Sequence, residues 1–510
     1  MRTNKFLIIL IFLGFGATAC TDLTEVLNED LTGEAATDFI NNNTDVSALL
    51  QASYEQLRLP YMDQSRFWAA QQHTSDETLG PTRGPDWDDN GVWRVLHDHT
   101  WDADHSFLGN TFNELLGIVF STTNILSFNT SAEQAAEARF LRAFAMFSVA
   151  DGWGQVPVRQ PGENLLNAPT VLAGADALDF VISECEDILA TLPNGAANRA
   201  NADAARVLLM KAYLNKGAFN NRQAPAFDNA DMGKVIQYAD EIISSGNYSL
   251  SDGVAYYDNF APTNDQISTE NIFTGENLGG VSSGNVRSRW FCTLHYNMNP
   301  SGWNGFTTIA DFYDKFDPAD IRKGADYAGM TDVSGIKVGF LEGQQFDQDG
   351  TALTDRKGAP LAFTKEVKLI ETGDNLEVTG VRVVKYPIDY ASGDNSDNDY
   401  VFYRLADVML MKAEAILRSG GSDAEALAIV NEIRQKRGVA DRANLNLDDI
   451  LEERGFELYW EGHRRQDLIR FGKFLDAWNE KPASGPERLL FAIPSGALAV
   501  NPNLSQNPGY

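Results

Sequence analysis

Cysteine, histidine and basic residues are scarce in this sequence. Its 510 residues include 3 Cys and 6 His. That excludes a disulfide framework, and no CxxC or spaced Cys/His set is present for zinc. Lys and Arg number 41 against 71 Asp and Glu, a net charge of −30. Nucleic-acid binding is excluded on that ground, because phosphate contacts need a basic surface. Charge-driven docking on anionic lipid is excluded for the same reason. Long apolar runs are also missing, apart from "FLIILIFLGF" near the N-terminus. What is present is a hydrophobic content of 43%, ample for a core.

The apolar run follows Arg2 and Lys5 and precedes "GATAC". A basic start, an apolar stretch and small residues before a cut describe a secretory signal, and the stretch is too short to span a bilayer. Ala17 to Cys20 resembles a bacterial lipobox, with Ala17 where a larger aliphatic residue is usual. We expect residues 1–19 to be a lipoprotein signal peptide, Cys20 to be acylated, and residues 20–37 to be a tether. An ordinary signal peptide cut near Ala19 is the alternative.

Helical periodicity then takes over. "SAEQAAEARFLRAFAMFSVADGWG" opens with a capping box, Ser131 and Gln134, and sets Phe140, Phe144 and Phe147 on one face. Further runs, "GADALDFVISECEDILATL", "ADAARVLLMKAYLN" and "MGKVIQYADEIISSG", pair as helix, turn, helix without a fixed period. From about 251 to 400 Gly, Asn, Asp and aromatics dominate, with short β-like runs such as "LEVTGVRVVKYPI". Helices return at "YRLADVMLMKAEAILRSGG", and a second capping box is expected at Ser422 and Glu425. Asp389 to Tyr400 offers oxygen ligands but lacks the spacing of a calcium loop, so a solvated acidic turn is expected.

"ELYWEGHRRQDLIRFGKF", Glu457 to Phe474, gathers enough acids and bases to suggest a catalytic or metal site. On one continuous helix Phe456, Tyr459, Trp460 and His463 share a face, so His463 reads as a core histidine. Glu457, Glu461 and Arg465 follow at steps of four, which predicts an outward charge ladder. Glu461 and Asp467 fall on different faces, and the enzyme reading fails on geometry.

The same stretch resembles the C-terminal signature of the SusD/RagB family, through Arg454, Glu457, Leu458, Glu461, Gly462, Arg464, Asp467, Leu468 and Arg470. "EARFLRAFAMFSVADGWGQVPV", "YRLADVMLMKAEAILR", "VNEIRQKRGV" and the tail "FAIPSGALAVNPNLSQNPGY" match in family order. The resemblance implies a mainly α fold: tetratricopeptide-like helical hairpins in an α-α superhelix, carrying a large loop-rich insertion. It places one SusD-like domain at 38–510. The helical array would occupy about 38–250 and 400–480, the ligand-binding insertion about 251–400, and an extended tail 481–510. It further implies a non-catalytic, cofactor-free lipoprotein on the outer face of the outer membrane. Such a protein captures glycan for a SusC-like TonB-dependent transporter.

Sugars present apolar ring faces edged by hydroxyls, so loop aromatics beside polar groups are the candidates. Trp68, Trp153, Trp460 and Trp478 read as core. Two loops differ. "SDETLGPTRGPDWDDNGVWRVLHDHTW" holds Trp87, Trp93 and Trp101, and "SSGNVRSRWFCTLHYNMNPSGWNGF" holds Trp290, Tyr296 and Trp303. Trp87 leads, because burying it between Asp86 and Asp88 would strand two carboxylates. Trp290 and Trp303 follow, and Trp93 and Trp101 either touch ligand or pin the loop. Arg83, Arg94, Arg287 and Arg289 either bind hydroxyls or acidic sugars, or pair with nearby acids. The first loop also resembles that of SusD-like proteins from bacteria that use laminarin. With the negative net charge, this favours a neutral β-glucan over alginate. An exported glycoside hydrolase built on Asp86, Asp88 and Asp89, and a peptide-uptake protein, are the rivals.

Overall fold

The computed structural model describes residues 39–41 and 43–510. Cys20 and the expected signal peptide and tether lie outside them. The unit Asp45–Tyr510 contains the helical array and the insertion.

Six helices form the first part of the array: α1 (Val46–Gln56), α2 (Ser106–Ile125), α3 (Ala132–Trp153), α4 (Gly174–Ile188), α5 (Ala202–Asn220) and α6 (Asn229–Ser244). From α2 onward each packs on the next. The Ser131–Gln134 capping box forms, and Gly154 ends α3 in the left-handed conformation. Phe140, Phe144 and Phe147 are all buried, as their spacing predicts. The chain leaves the array after α6 and returns as α7 (Leu405–Arg418), which packs directly against α6. Helices α8 (Asp423–Lys436) and α9 (Leu447–Leu458) then pack on α7. The intervening segment is closed at its base by an antiparallel ribbon of β1 (Asn271–Gly275) and β4 (Tyr400–Arg404). Within it, β2 (Val338–Leu341) pairs antiparallel with β3 (Arg382–Val384), the latter inside the β-like run.

Two local expectations fail, each to a competing contact. Ser422 caps α8, but Glu425 turns to Lys412 at 3.1 Å, so the box is half made. The helix expected through Glu457–Phe474 is two helices, α9 and α10 (Arg464–Arg470). Between them Trp460 and Gly462 adopt positive φ. The carbonyls that would continue α9 are taken by side chains. The Glu457 oxygen accepts from Tyr256 Oη, Arg404 Nη2 and Lys385 Nζ, and the Tyr459 oxygen from Lys385 Nζ at 2.7 Å. Trp460 itself is clasped, its carbonyl by Trp68 Nε1 and its N–H by Glu77.

The expected outward charge ladder is therefore a buried ion cluster. Glu457 Oε atoms accept from Arg404, Arg437 and Arg322 at 2.7, 2.8 and 2.9 Å. Glu461 pairs with Lys385 and Arg404. Glu270 closes the ring onto Arg404 and Arg437, and Asp320 holds Arg322. Arg465 is also buried, on Asp151 and the Leu489 carbonyl. Burial alone would raise the Glu457 carboxyl, yet Arg437, Arg404 and Arg322 hold it well below the usual carboxylate range. His463 sits at the break, with Nδ1 3.3 Å from Lys211 Nζ. Burial drives its pKa from 6.5 to about 4, with Lys211 reinforcing, so it is a neutral imidazole, half-buried at the break and not in the core.

Breaking such a cluster strands its remaining charges. Glu457→Ala is expected to cost about 3–5 kcal/mol, measured by urea unfolding. A loss below about 1 kcal/mol, of the order of an exposed pair, would show that the cluster does not hold the fold.

Candidate functional site

A cleft of about 810 Å³ opens where the first aromatic loop meets the insertion. Its floor is Trp87 and Trp303, ring centroids 6.2 Å apart and tilted 58°. Trp87 is half-buried and Trp303 is 47% exposed.

Loop geometry explains how a polar sequence presents these rings. Arg83 and Asp86 exchange backbone hydrogen bonds, N to O, at 2.9 and 3.2 Å. Trp87, Asp89 and Asn90 then all take positive φ, which is costly for a bulky residue and persists only under outside restraint. The restraint is visible. Trp87 Nε1 donates to the Trp303 carbonyl at 2.8 Å, and its ring packs on Phe306. Gly305 forms its seat: a Cβ there would fall 2.2 Å from Trp87 Cε2. On the other side, Trp303, Asn304 and Gly305 return N–H bonds to the carbonyls of Phe291, Leu294 and Cys292. That hairpin turns Trp303 outward onto Phe291, edge to face at 4.9 Å.

The structure brings together Trp87, Trp303, Asp86 and Tyr296, with the Tyr296 hydroxyl donating to Asp86 Oδ2 at 3.1 Å. It removes others. Trp290 is 3% exposed, on the inward side of a helical turn, and Arg289 beside it is fully buried. The Arg289 guanidinium lies 4.0 Å from the Trp68 ring and donates to the Met62 carbonyl. Arg83 is buried too, donating to the carbonyls of Leu376 and Thr379. It anchors the loop from beneath, and burial lowers its pKa to about 10. Trp93 borders the cleft but is 3% exposed, and its Nε1 donates to Asp89 at 2.8 Å, so it pins the loop. Trp101 is core, hydrogen-bonded to Tyr510. Arg94 and Arg287 pair with Asp88 and Asp394. The Asp389 carboxylate accepts three backbone N–H bonds of its own turn.

Gln64, Ser65, Asn90, Ser106 and Phe107 line the cleft without having been singled out. Asn90 lies in the quoted loop and was readable there. Gln64 and Ser65 arrive from a distant turn, and no local signal marks them. The lining includes Asp86 and Asp89 but no Lys, Arg or His. Two carboxyls raised by burial toward a general acid's range, Glu77 to about 8 and Asp399 to about 7, lie outside this lining. Both are hydrogen-bonded within the protein.

The sequence profile of the SusD family matches residues 269–510. The starch-binding protein SusD of Bacteroides thetaiotaomicron is 27% identical over 420 residues, 74% of this chain and 73% of that one. The C-terminal half of the chain thus carries the sequence pattern of the SusD family. The fold is that of solved SusD-like proteins. A surface glycan-binding protein A from Bacteroides thetaiotaomicron, in complex with laminarihexaose, superposes with a TM-score of 0.66 at 18% identity. It covers 91% of this chain and 98% of its own. A laminarin binding SusD-like protein of known structure gives 0.69 at 18%, over 91% and 99%. The profile match takes in Trp303 and Tyr296 but not Trp87, so the two halves of the cleft come from inside and outside the matched segment.

Gly305→Val is expected to expel the Trp87 indole. Tryptophan emission should shift to the red and near-UV circular dichroism should change, while helical content stays constant. Unchanged tryptophan spectra would mean that the seat is not needed.

Proposed function

We propose that this protein is a non-catalytic, surface-exposed glycan-binding lipoprotein, anchored through Cys20. It captures a neutral β-glucan of the laminarin type and delivers it to a SusC-like TonB-dependent transporter. The observation that carries this is the Trp87–Trp303 floor in a cleft lined by two carboxylates and no cation. Tilted indoles suit the flat C–H faces of gluco-configured rings, and a wall of the carboxylate, amide and hydroxyl groups of Asp86, Asn90 and Tyr296 suits their hydroxyls. The four arginines of the two aromatic loops bond within the protein, which disfavours alginate. The relatives that bind laminarihexaose or laminarin support the choice of glucan, at low identity.

In calorimetry with laminarihexaose, Trp87→Ala and Trp303→Ala should each weaken binding by about 10- to 100-fold, by analogy with base stacking at roughly 1–3 kcal/mol per ring. Raising the salt should change little. Preference for alginate with a steep loss in salt would overturn the neutral-glucan reading, and release of reducing sugar would overturn the non-catalytic one.

The anchor has its own check. Cys20→Ala should move the protein from the membrane to the soluble fraction. Retention in the membrane fraction would show that the body binds there by other means.

A further inference from the structure

Beside Tyr296, just outside the cleft lining, stands a guanidinium that the sequence did not flag. Arg356 lies over Tyr296, its Cζ 3.9 Å from the ring centroid. Its Nε donates to Glu377 Oε1 at 2.7 Å and its backbone N–H to Oε2 at 3.1 Å. Glu377 is held in turn by His295 Nε2 at 2.8 Å. The guanidinium is thereby braced through Nε, which leaves its two terminal nitrogens, Nη1 and Nη2. Neither makes a hydrogen bond among the described residues, and the side chain is half exposed. Nη2 lies 3.9 Å from Asp86 Oδ2, too far for a direct bond. That oxygen already accepts the Tyr296 hydroxyl, which leaves Asp86 Oδ1 open.

A free acceptor and several free N–H donors therefore stand a few ångströms apart beside an aromatic floor. A neighbouring pair of sugar hydroxyls is the complement of this arrangement, since each hydroxyl both donates and accepts. We propose that Asp86 and Arg356 form a hydroxyl-reading subsite, in which Asp86 accepts from one hydroxyl and Arg356 donates to the next. The floor holds a ring by its face, and this pair reads its edge. Glu377 already balances the Arg356 charge, and Asp86 adds a negative one. The subsite therefore favours uncharged diols and repels a carboxylate placed there. This rests on the glycan-binding reading of the cleft and names the part of the ligand it selects.

Calorimetry with laminarihexaose tests it. Arg356→Gln should weaken binding about tenfold, the usual scale for a lost hydrogen bond to a charged group. Arg356→Lys should recover only part of this, because an ammonium lacks the planar fork. A brace that merely supports Tyr296 would not alter charge selectivity, so a second ligand separates the roles. With laminarin whose C6 hydroxymethyl groups have been oxidised to carboxylates, Asp86→Asn should bind more tightly than wild type. Adding Arg356→Gln should abolish that gain. Equal affinity of wild type and Arg356→Gln for laminarihexaose, with Trp303→Ala still weak, overturns the subsite and leaves the cleft reading intact. Absence of the Asp86→Asn gain also overturns it. A wild-type protein that binds no neutral glucan overturns both.

Discussion

The buried carboxylate of Glu457 is where this structure is tied together. Three guanidinium groups converge on it from three parts of the chain: Arg322 in the insertion, Arg404 at the end of β4 and Arg437 at the end of α8. Each has a further acidic partner, so the charges in the cluster are matched. An ion cluster of this kind is weak evidence for net stability, because desolvation costs nearly what the attraction returns. Docked as they are, the insertion and the array satisfy these groups together, and a half-satisfied cluster in a dry interior is costly. The family signature around Glu457 and Glu461 is thus a docking instruction written in charge.

That same instruction breaks a helix. Lys385, Arg404 and Tyr256 capture the last carbonyls of α9, and the chain crosses to α10 through Trp460 in a left-handed conformation. Trp68, packed at a tilt against Trp460 and beside the Arg289 guanidinium, passes this order outward toward the cleft. Phe306 then lies against both Trp68 and Trp87. A continuous chain of aromatic and cationic contacts runs from the ion cluster to the cleft floor, so the floor rests on a rigid support and not on a loose loop. The strained Trp87 backbone is tolerable for that reason.

The cleft turns its own acidity to use. A chain with a charge of −30 repels polyanions at a distance. Close in, the arginines of both aromatic loops are consumed in holding those loops, and Arg356 is balanced by Glu377. The cleft therefore presents apolar ring surface edged by acceptors, with one guanidinium beside it that Glu377 balances. This chemistry suits a neutral sugar better than an anion.

By itself the sequence determined the helical array, its caps and its core. Those depend on periodicity within a few turns, as with Phe140, Phe144 and Phe147 or Ser131 with Gln134. It also pointed to the two loops that build the cleft, since Trp87 and Trp303 sit among residues that cannot follow them into a core. Only the tertiary structure decided which loop residues face out. Trp290 and Trp303 stand in equally polar surroundings, yet one lies on the inside of a helical turn and the other on the outside of a hairpin. Arg83 and Arg289 were drawn inward by carbonyls and rings remote in sequence, while Arg356, unmarked by its neighbours, was brought to the rim by Tyr296 and Glu377. The charge ladder became a buried cluster for the same reason. Helical spacing says which residues share a face, but whether that face meets water or three arginines depends on segments elsewhere in the chain.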